Sequence, residues 1–161
     1  MTSTTLSVAL EREHRAIDEG IERFAGTGHT AEHRAALLEA VAVLRRHIYL
    51  EEEHLFPPLR EAGMFGPVMV MIHEHGQMWP ILDTIEELLA TGINDTTALL
   101  CRDLLTQLAA HNMKEEQILY PQADDLLPAD DRDDLTALLT SAEMPAGWVC
   151  HGVTNVEHTT R

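Results

Sequence analysis

Cysteine is scarce in this chain: only Cys101 and Cys150 occur, with no CxxC spacing. A fold stapled by disulfides is excluded, and the two read as reduced thiols of a cytoplasmic protein. Aromatic residues make up 4% of the sequence, while Ala, Leu and Glu are plentiful. That composition argues against a sheet-rich fold and for an all-helical one. Basic residues are few: 11 Lys and Arg stand against 27 Asp and Glu, a formal net charge of -16. Such a surface repels phosphate backbones and anionic lipid, so no nucleic-acid or membrane partner is expected. No apolar run approaches the roughly eighteen residues that would mark a membrane span. The opening Met-Thr-Ser-Thr-Thr-Leu has no basic segment followed by an apolar one, so no signal peptide is expected. What is present is 161 residues with 45% hydrophobic content, enough for one domain with a proper core.

The apolar residues recur at helical spacing. Leu10, His14, Ile17, Ile21 and Phe24 form the stripe of a first helix over 6 to about 25, closed by the Gly26-Thr27-Gly28 segment. Thr30 offers the N-cap of a second, over 31 to about 56, with Leu37, Val41, Leu44, His47, Ile48, Glu51 and Leu55 on one side. Pro57-Pro58 predicts the end of its regular helix, with Pro58 through Glu61 continuing as a loose turn. A third starts near Pro67, carries Met71, Ile72, His75, Met78, Leu82 and Ile85, kinks at Pro80 and stops at Gly92. Asn94 or Asp95 caps the fourth, with Leu104, Leu108, His111, Glu115 and Ile118 on its stripe and an end before Pro121. Pro128 and the aspartates between 130 and 134 favour a short fifth helix through Leu135, Leu138 and Leu139. Short connections predict an antiparallel up-down-up-down four-helix bundle with a short C-terminal helix, over residues 1–143. Residues 144–161 form a tail in which Trp148, Val149 and Cys150 dock on the bundle and the last ten residues are mobile.

One stretch occurs twice: His47-Ile-Tyr-Leu-Glu51-Glu52-Glu53-His54-Leu55-Phe56-Pro57 and His111-Asn-Met-Lys-Glu115-Glu116-Gln117-Ile118-Leu119-Tyr120-Pro121. Glu13-His14 also corresponds to Glu74-His75, at an offset of 61 residues against 64 for the longer stretch. The chain is therefore a duplicated helical hairpin. A single histidine on an apolar stripe is ordinarily a hydrogen-bonded core residue. Here all four helices place a histidine on the core face, and two add a glutamate four residues on, the same side of the helix. Burying four imidazoles and two carboxylates without partners is costly, and a shared cation removes that cost for all six. Imidazole and carboxylate without thiolate suit iron, manganese or zinc. Six ligands fit two metals, each with two histidines, bridged by Glu51 and Glu115 and with coordination positions left open. Glu52 and Glu116 fall one residue round the helix, on the surface or behind the ligands. His54 falls near the inner face, as a core or interface histidine, with an extra ligand or a further hydrogen bonder as the alternatives. His73 points about 200° away from His75 and is the weaker candidate. Helical phase gives Tyr49 and Tyr120 no strong claim on the site.

The pattern His14, His47-x-x-x-Glu51, His75, His111-x-x-x-Glu115 resembles the hemerythrin-like (HHE cation-binding) family, from residue 6 to about 122. The resemblance implies a non-haem di-iron centre between the helices, two iron ions open to an oxo bridge, with His14, His47, Glu51, His75, His111 and Glu115 as ligands. It implies a small-molecule partner such as O2, peroxide or NO, bound or reduced at the centre. Oxygen-carrying hemerythrins have a His-x-x-x-His pair on the third helix. This chain reads His73-Glu74-His75-Gly76-Gln77 there and lacks it, which argues against a dedicated oxygen carrier. The other expectation is an iron- or oxygen-sensing, or iron-handling, module without turnover.

Overall fold

The structure, a computed structural model, describes residues 4–26 and 28–153 and is all-helical, with no strand among those residues. The helices are α1 (Leu6–Ala25), α2 (Ala31–Leu50), α3 (Phe56–Glu61), α4 (Phe65–Ala90), α5 (Asn94–Lys114), α6 (Tyr120–Leu126) and α7 (Ala129–Ser141). A π turn, Glu51–Leu55, joins α2 to α3, and a second, Glu115–Leu119, joins α5 to α6. α1 packs on α2 and α5, and α4 packs on α5 and α2. No described helix is long and apolar enough to cross a membrane.

Local chemistry sets most of the ends. The Thr5 hydroxyl accepts from the Val8 amide and that of Thr30 from the His33 amide, each satisfying an amide of a first turn. α3 and α4 end alike. The Met64 amide donates to the Leu59 carbonyl and the Gly63 amide to that of Arg60; Ile93 and Gly92 do the same with Leu88 and Leu89. This closure needs a left-handed residue, and Gly63 and Gly92 have φ of 103° and 74°. Neither Asn94 nor Asp95 caps α5; the cap position is Ile93. α4 starts two residues before Pro67, at Phe65, and runs unbroken through Pro80.

The helices do not stop at Pro57 and Pro121 as the sequence predicts. In each π turn the chain accommodates one extra residue, and the Phe56 and Tyr120 amides reach back five residues, to the Glu51 and Glu115 carbonyls. Each proline then falls in the first turn of the following α segment, where helices tolerate it. The Leu-aromatic-Pro ending of the repeat is thus the mark of a π turn.

Two apolar clusters fill the interior. One gathers Ile17, Phe24, Leu44, Ile48, Met78, Leu82 and Leu108; the other Leu6, Leu10, Leu55, Phe56, Ile72, Leu119 and Leu139. Each fully buried side chain of this size contributes about 1.5–3 kcal/mol. In α1, α2 and α4 the histidine falls where residues of one cluster give way to residues of the other, and in α5 His111 follows the last residue of the first cluster, Leu108. The helices are therefore held from above and below around a polar layer. α7 closes the second cluster with Leu135, Leu138 and Leu139. Trp148 and Cys150 join the first cluster, whereas Val149 is exposed. The expected mobility of the last residues falls, from 154 on, outside the described residues.

Candidate metal centre

His14, His47, Glu51, His75, His111 and Glu115 meet in that layer, all buried. Single ligand atoms of His14, His47, Glu51 and Glu115 lie within 4.8 Å of one another, and so do those of Glu51, His75, His111 and Glu115. Each group could hold a metal ion, and the two share both glutamates. His14 Nε2 lies 3.1 Å from His47 Nε2 and 3.3 Å from Glu115 Oε1. His47 Nε2 lies 3.4 Å from Glu51 Oε2, His75 Nε2 3.2 Å from Glu51 Oε1, and His111 Nε2 3.2 Å from Glu115 Oε1. All four Nε2 atoms therefore face the same carboxylate pair. Glu51 Oε1 and Glu115 Oε2 are buried without a hydrogen-bond donor. Orphaned carboxylate oxygens are costly, and a cation between them relieves the cost.

Each Nδ1 has its own carboxylate. Glu13 Oε1 lies 2.9 Å from His47 Nδ1, and Glu74 Oε1 2.9 Å from His111 Nδ1. Glu52 Oε2 lies 2.6 Å from His75 Nδ1, and Glu116 Oε2 3.0 Å from His14 Nδ1. The pairing runs round the molecule: α1 supports the α2 histidine, the first π turn the α4 histidine, α4 the α5 histidine, and the second π turn the α1 histidine. A carboxylate on Nδ1 holds the ring with a bare Nε2 toward a metal and raises its basicity. Arg46 braces Glu13 and Lys114 braces Glu74. Sequence reading matched Glu13 and Glu74 as copies without giving them this role; their place beside a stripe histidine was the available signal.

These contacts set the protonation. Burial opposes a charge on His47, but Glu51 and Glu13 outweigh it and hold its pKa well above the ordinary value. Burial likewise opposes a charge on His75, and the carboxylates of Glu51 and Glu52 beside its ring raise its pKa nonetheless. His111 rises to about 10 against its burial, chiefly through Glu115. Glu51 falls well below the usual carboxylate range, His47 and its other donors overcoming burial. Glu74 falls to about 2, mainly through its hydrogen bond with His111.

Tyr120 is fully buried at the middle of this layer. Its hydroxyl lies 2.6 Å from Glu51 Oε2, 3.1 Å from Glu115 Oε1, 3.0 Å from His14 Nε2 and 3.2 Å from His47 Nε2. With a single proton it donates to one carboxylate at a time, and the Glu51 contact is the shorter. Burial, then Glu115 and Glu51, push its pKa well above the ordinary phenol value, so the proton is retained. Sequence phase missed Tyr120 because an α-helix turns it about 140° away from Glu115. The π turn brings it back beneath. The same shift carries His54 outward, onto the surface, edge-on to Tyr49. Phe56, the counterpart of Tyr120, stacks on His75 at 5.7 Å. His73 is exposed, beside Gln77.

A family model described as hemerythrin HHE cation binding domain matches residues 5–123, nearly three quarters of the chain. No match was found among curated proteins or among solved structures. The matched span contains every histidine and glutamate of the buried layer and both π turns. The chain belongs to the hemerythrin HHE cation-binding domain family.

Proposed function

We propose that this chain is a non-haem di-iron protein whose centre binds or reduces a small oxidant: O2, peroxide or NO. The observation that carries the reading is the pair of ligand groups sharing Glu51 and Glu115. On it, His14 and His47 would hold one ion and His75 and His111 the other, with Glu51 and Glu115 available to both. Imidazole and carboxylate donors suit iron, and the family is a cation-binding one. We take the long helices as an up-down-up-down bundle, which the short connections favour, and the two free buried thiols as a sign of a reducing, cytoplasmic setting.

Bound iron would supply the redox chemistry and the open coordination positions. The protein supplies the rest. Glu13, Glu52, Glu74 and Glu116 fix the four imidazole rings, so the ligand set is formed before a small molecule arrives. Tyr120 keeps a proton at the His14–His47 end, within hydrogen-bond distance of Glu51 and Glu115. Phe56 offers no donor at the other end, so protons are delivered on one side. Grooves lined by Glu11, His14, Asp18 and Glu116, and by Glu74, Gln77, Gln107 and His111, lead to the two ends.

Aerobic reconstitution with Fe(II) is expected to bind two iron ions per chain and to produce a charge-transfer absorption band that shifts on adding azide. A colourless protein indifferent to azide would overturn the reading. Tyr120→Phe, which copies its counterpart Phe56, is expected to keep both metals while slowing peroxide consumption by about 100-fold, the usual scale of a lost proton donor. Loss of metal from that variant would instead make Tyr120 a structural residue. Iron or oxygen sensing without turnover is the second reading. It is favoured by the contact between the C-terminal segment and Glu52, and steady peroxide turnover would eliminate it.

A further inference from the structure

Residues 144–153 lie beyond the family match and cross the groove between α4 and the first π turn. Trp148 stands edge-on to Tyr49 and Trp79, with ring centres 5.3 and 5.6 Å away, and its indole N–H donates to Glu53. Cys150 is fully buried beneath. Gly152 meets α4 backbone to backbone. A Cβ at 152 would stand 2.3 Å from the Ile72 carbonyl oxygen, and one at Gly76 2.6 Å from the Gly152 carbonyl carbon. Contacts that short are forbidden, so both glycines are required for the strap to seat. It then reaches the site: the His151 backbone N–H donates to Glu52 Oε1 at 2.7 Å, and Oε2 of that carboxylate holds His75 Nδ1 at 2.6 Å.

Among the described residues, the duplicated half has no such cover. Glu116 does for His14 what Glu52 does for His75, but its side chain is 34% exposed against 0% for Glu52. Arg15, the copy of Gly76 at the 61-residue offset, stands in an open groove with Asp18, the copy of Trp79. No strap could seat there in the same way, because Arg15 carries a side chain where Gly76 has none.

We infer that the strap of residues 144–153 is a positioning element of the centre: through Glu52 it fixes His75, and it makes the His75–His111 end hold metal more slowly exchanging than the His14–His47 end. The inference rests on the two-metal reading. A carboxylate tied by a backbone amide cannot swing away with its histidine, and a covered groove keeps water and chelators from that histidine. Supporting partners of this kind are worth about 10–100-fold in metal affinity.

The test is release of Co(II) from the loaded full-length chain to excess chelator, followed optically. The wild type is expected to bind two Co(II) and to release them in a fast and a slow phase. Gly152→Ala, which unseats the strap, is expected to accelerate the slow phase by about 10–100-fold and leave the fast one unchanged. His151→Pro, which removes only the N–H donor and the imidazole, should do the same. His151→Ala keeps the N–H and should leave both phases as they are. Glu116→Gln should accelerate the fast phase alone. The inference is overturned if Gly152→Ala and His151→Pro, with wild-type helical circular dichroism, leave the slow phase unchanged or accelerate both phases alike. A wild-type chain that binds fewer than two Co(II) overturns the two-metal reading, and this inference with it.

Discussion

Glu51→Ala or Glu115→Ala is expected to abolish stable loading of two metals, while Glu52→Ala and Glu116→Ala keep two at saturating metal with affinity at one end lowered about 10–100-fold. The geometry ranks the four. Glu51 lies 3.4 Å from His47 Nε2 and 3.2 Å from His75 Nε2, so it faces both ligand groups. Glu115 faces His14 and His111 in the same manner. Losing either removes a ligand from both groups at once and leaves imidazoles with no carboxylate before them. Glu52 and Glu116 each back one ring of the buried layer, His75 and His14, from behind. Their loss frees a ring to rotate and leaves the donor atoms present. Metal per chain after gel filtration, measured by elemental analysis, reads the first effect; a competition titration reads the second. Four variants with equal losses would refute the shared-glutamate assignment. Glu51→Gln separates charge from packing, because it keeps the volume and fails to bridge.

Removing the metal is expected to lower Tm by about 5–10 °C per site relative to protein with free metal at about 100-fold Kd. The gap should widen as pH rises. His47, His75 and His111 have folded pKa values above the ordinary 6.5, with His111 at about 10. Without metal the folded chain holds protons there that the unfolded chain gives up. The stability they contribute is complete below about 6.5 and is lost as pH climbs toward about 10. Glu74, depressed from 4.5 to about 2, behaves oppositely: its contribution is present above 4.5 and is lost as pH falls toward about 2. Metal competes with the histidine protons, so its affinity grows over the range in which the metal-free fold weakens. Calorimetric melts of both forms at about pH 5.5 and about pH 9 check this. A gap independent of pH would mean that these histidines carry no extra proton in the metal-free fold.

The helices and the site histidines were legible because both follow from spacing. A stripe such as Leu10, His14, Ile17, Ile21, Phe24 has one buried solution in a helix, and a polar residue on it must be buried too. Duplication made the set self-checking: Glu13-His14 repeats as Glu74-His75, and His47-x-x-x-Glu51 as His111-x-x-x-Glu115. The helix ends that the sequence predicts at Pro57 and Pro121 are replaced in the structure by π turns and further α segments. Proline breaks an α-helix by withholding an amide and crowding a carbonyl, and the phase of a uniform α-helix carries no sign that a π turn has absorbed the change. Tyr120 and His54 depart from α-helical phase for the same reason, one rotated in and the other out.

By itself the sequence determined four apolar stripes, one histidine on each, and the doubled glutamate of the candidate cation site. These are properties of single helices, set by covalent order and a fixed turn per residue. Only the tertiary structure decided which carboxylate backs which ring, that Tyr120 lies among the candidate ligands, and that a strap from residues 144–153 covers one end while the other is open among the described residues. Those features depend on how one helix is rotated and placed against another. That is settled by packing among residues far apart in the chain, as where Gly152 meets Gly76.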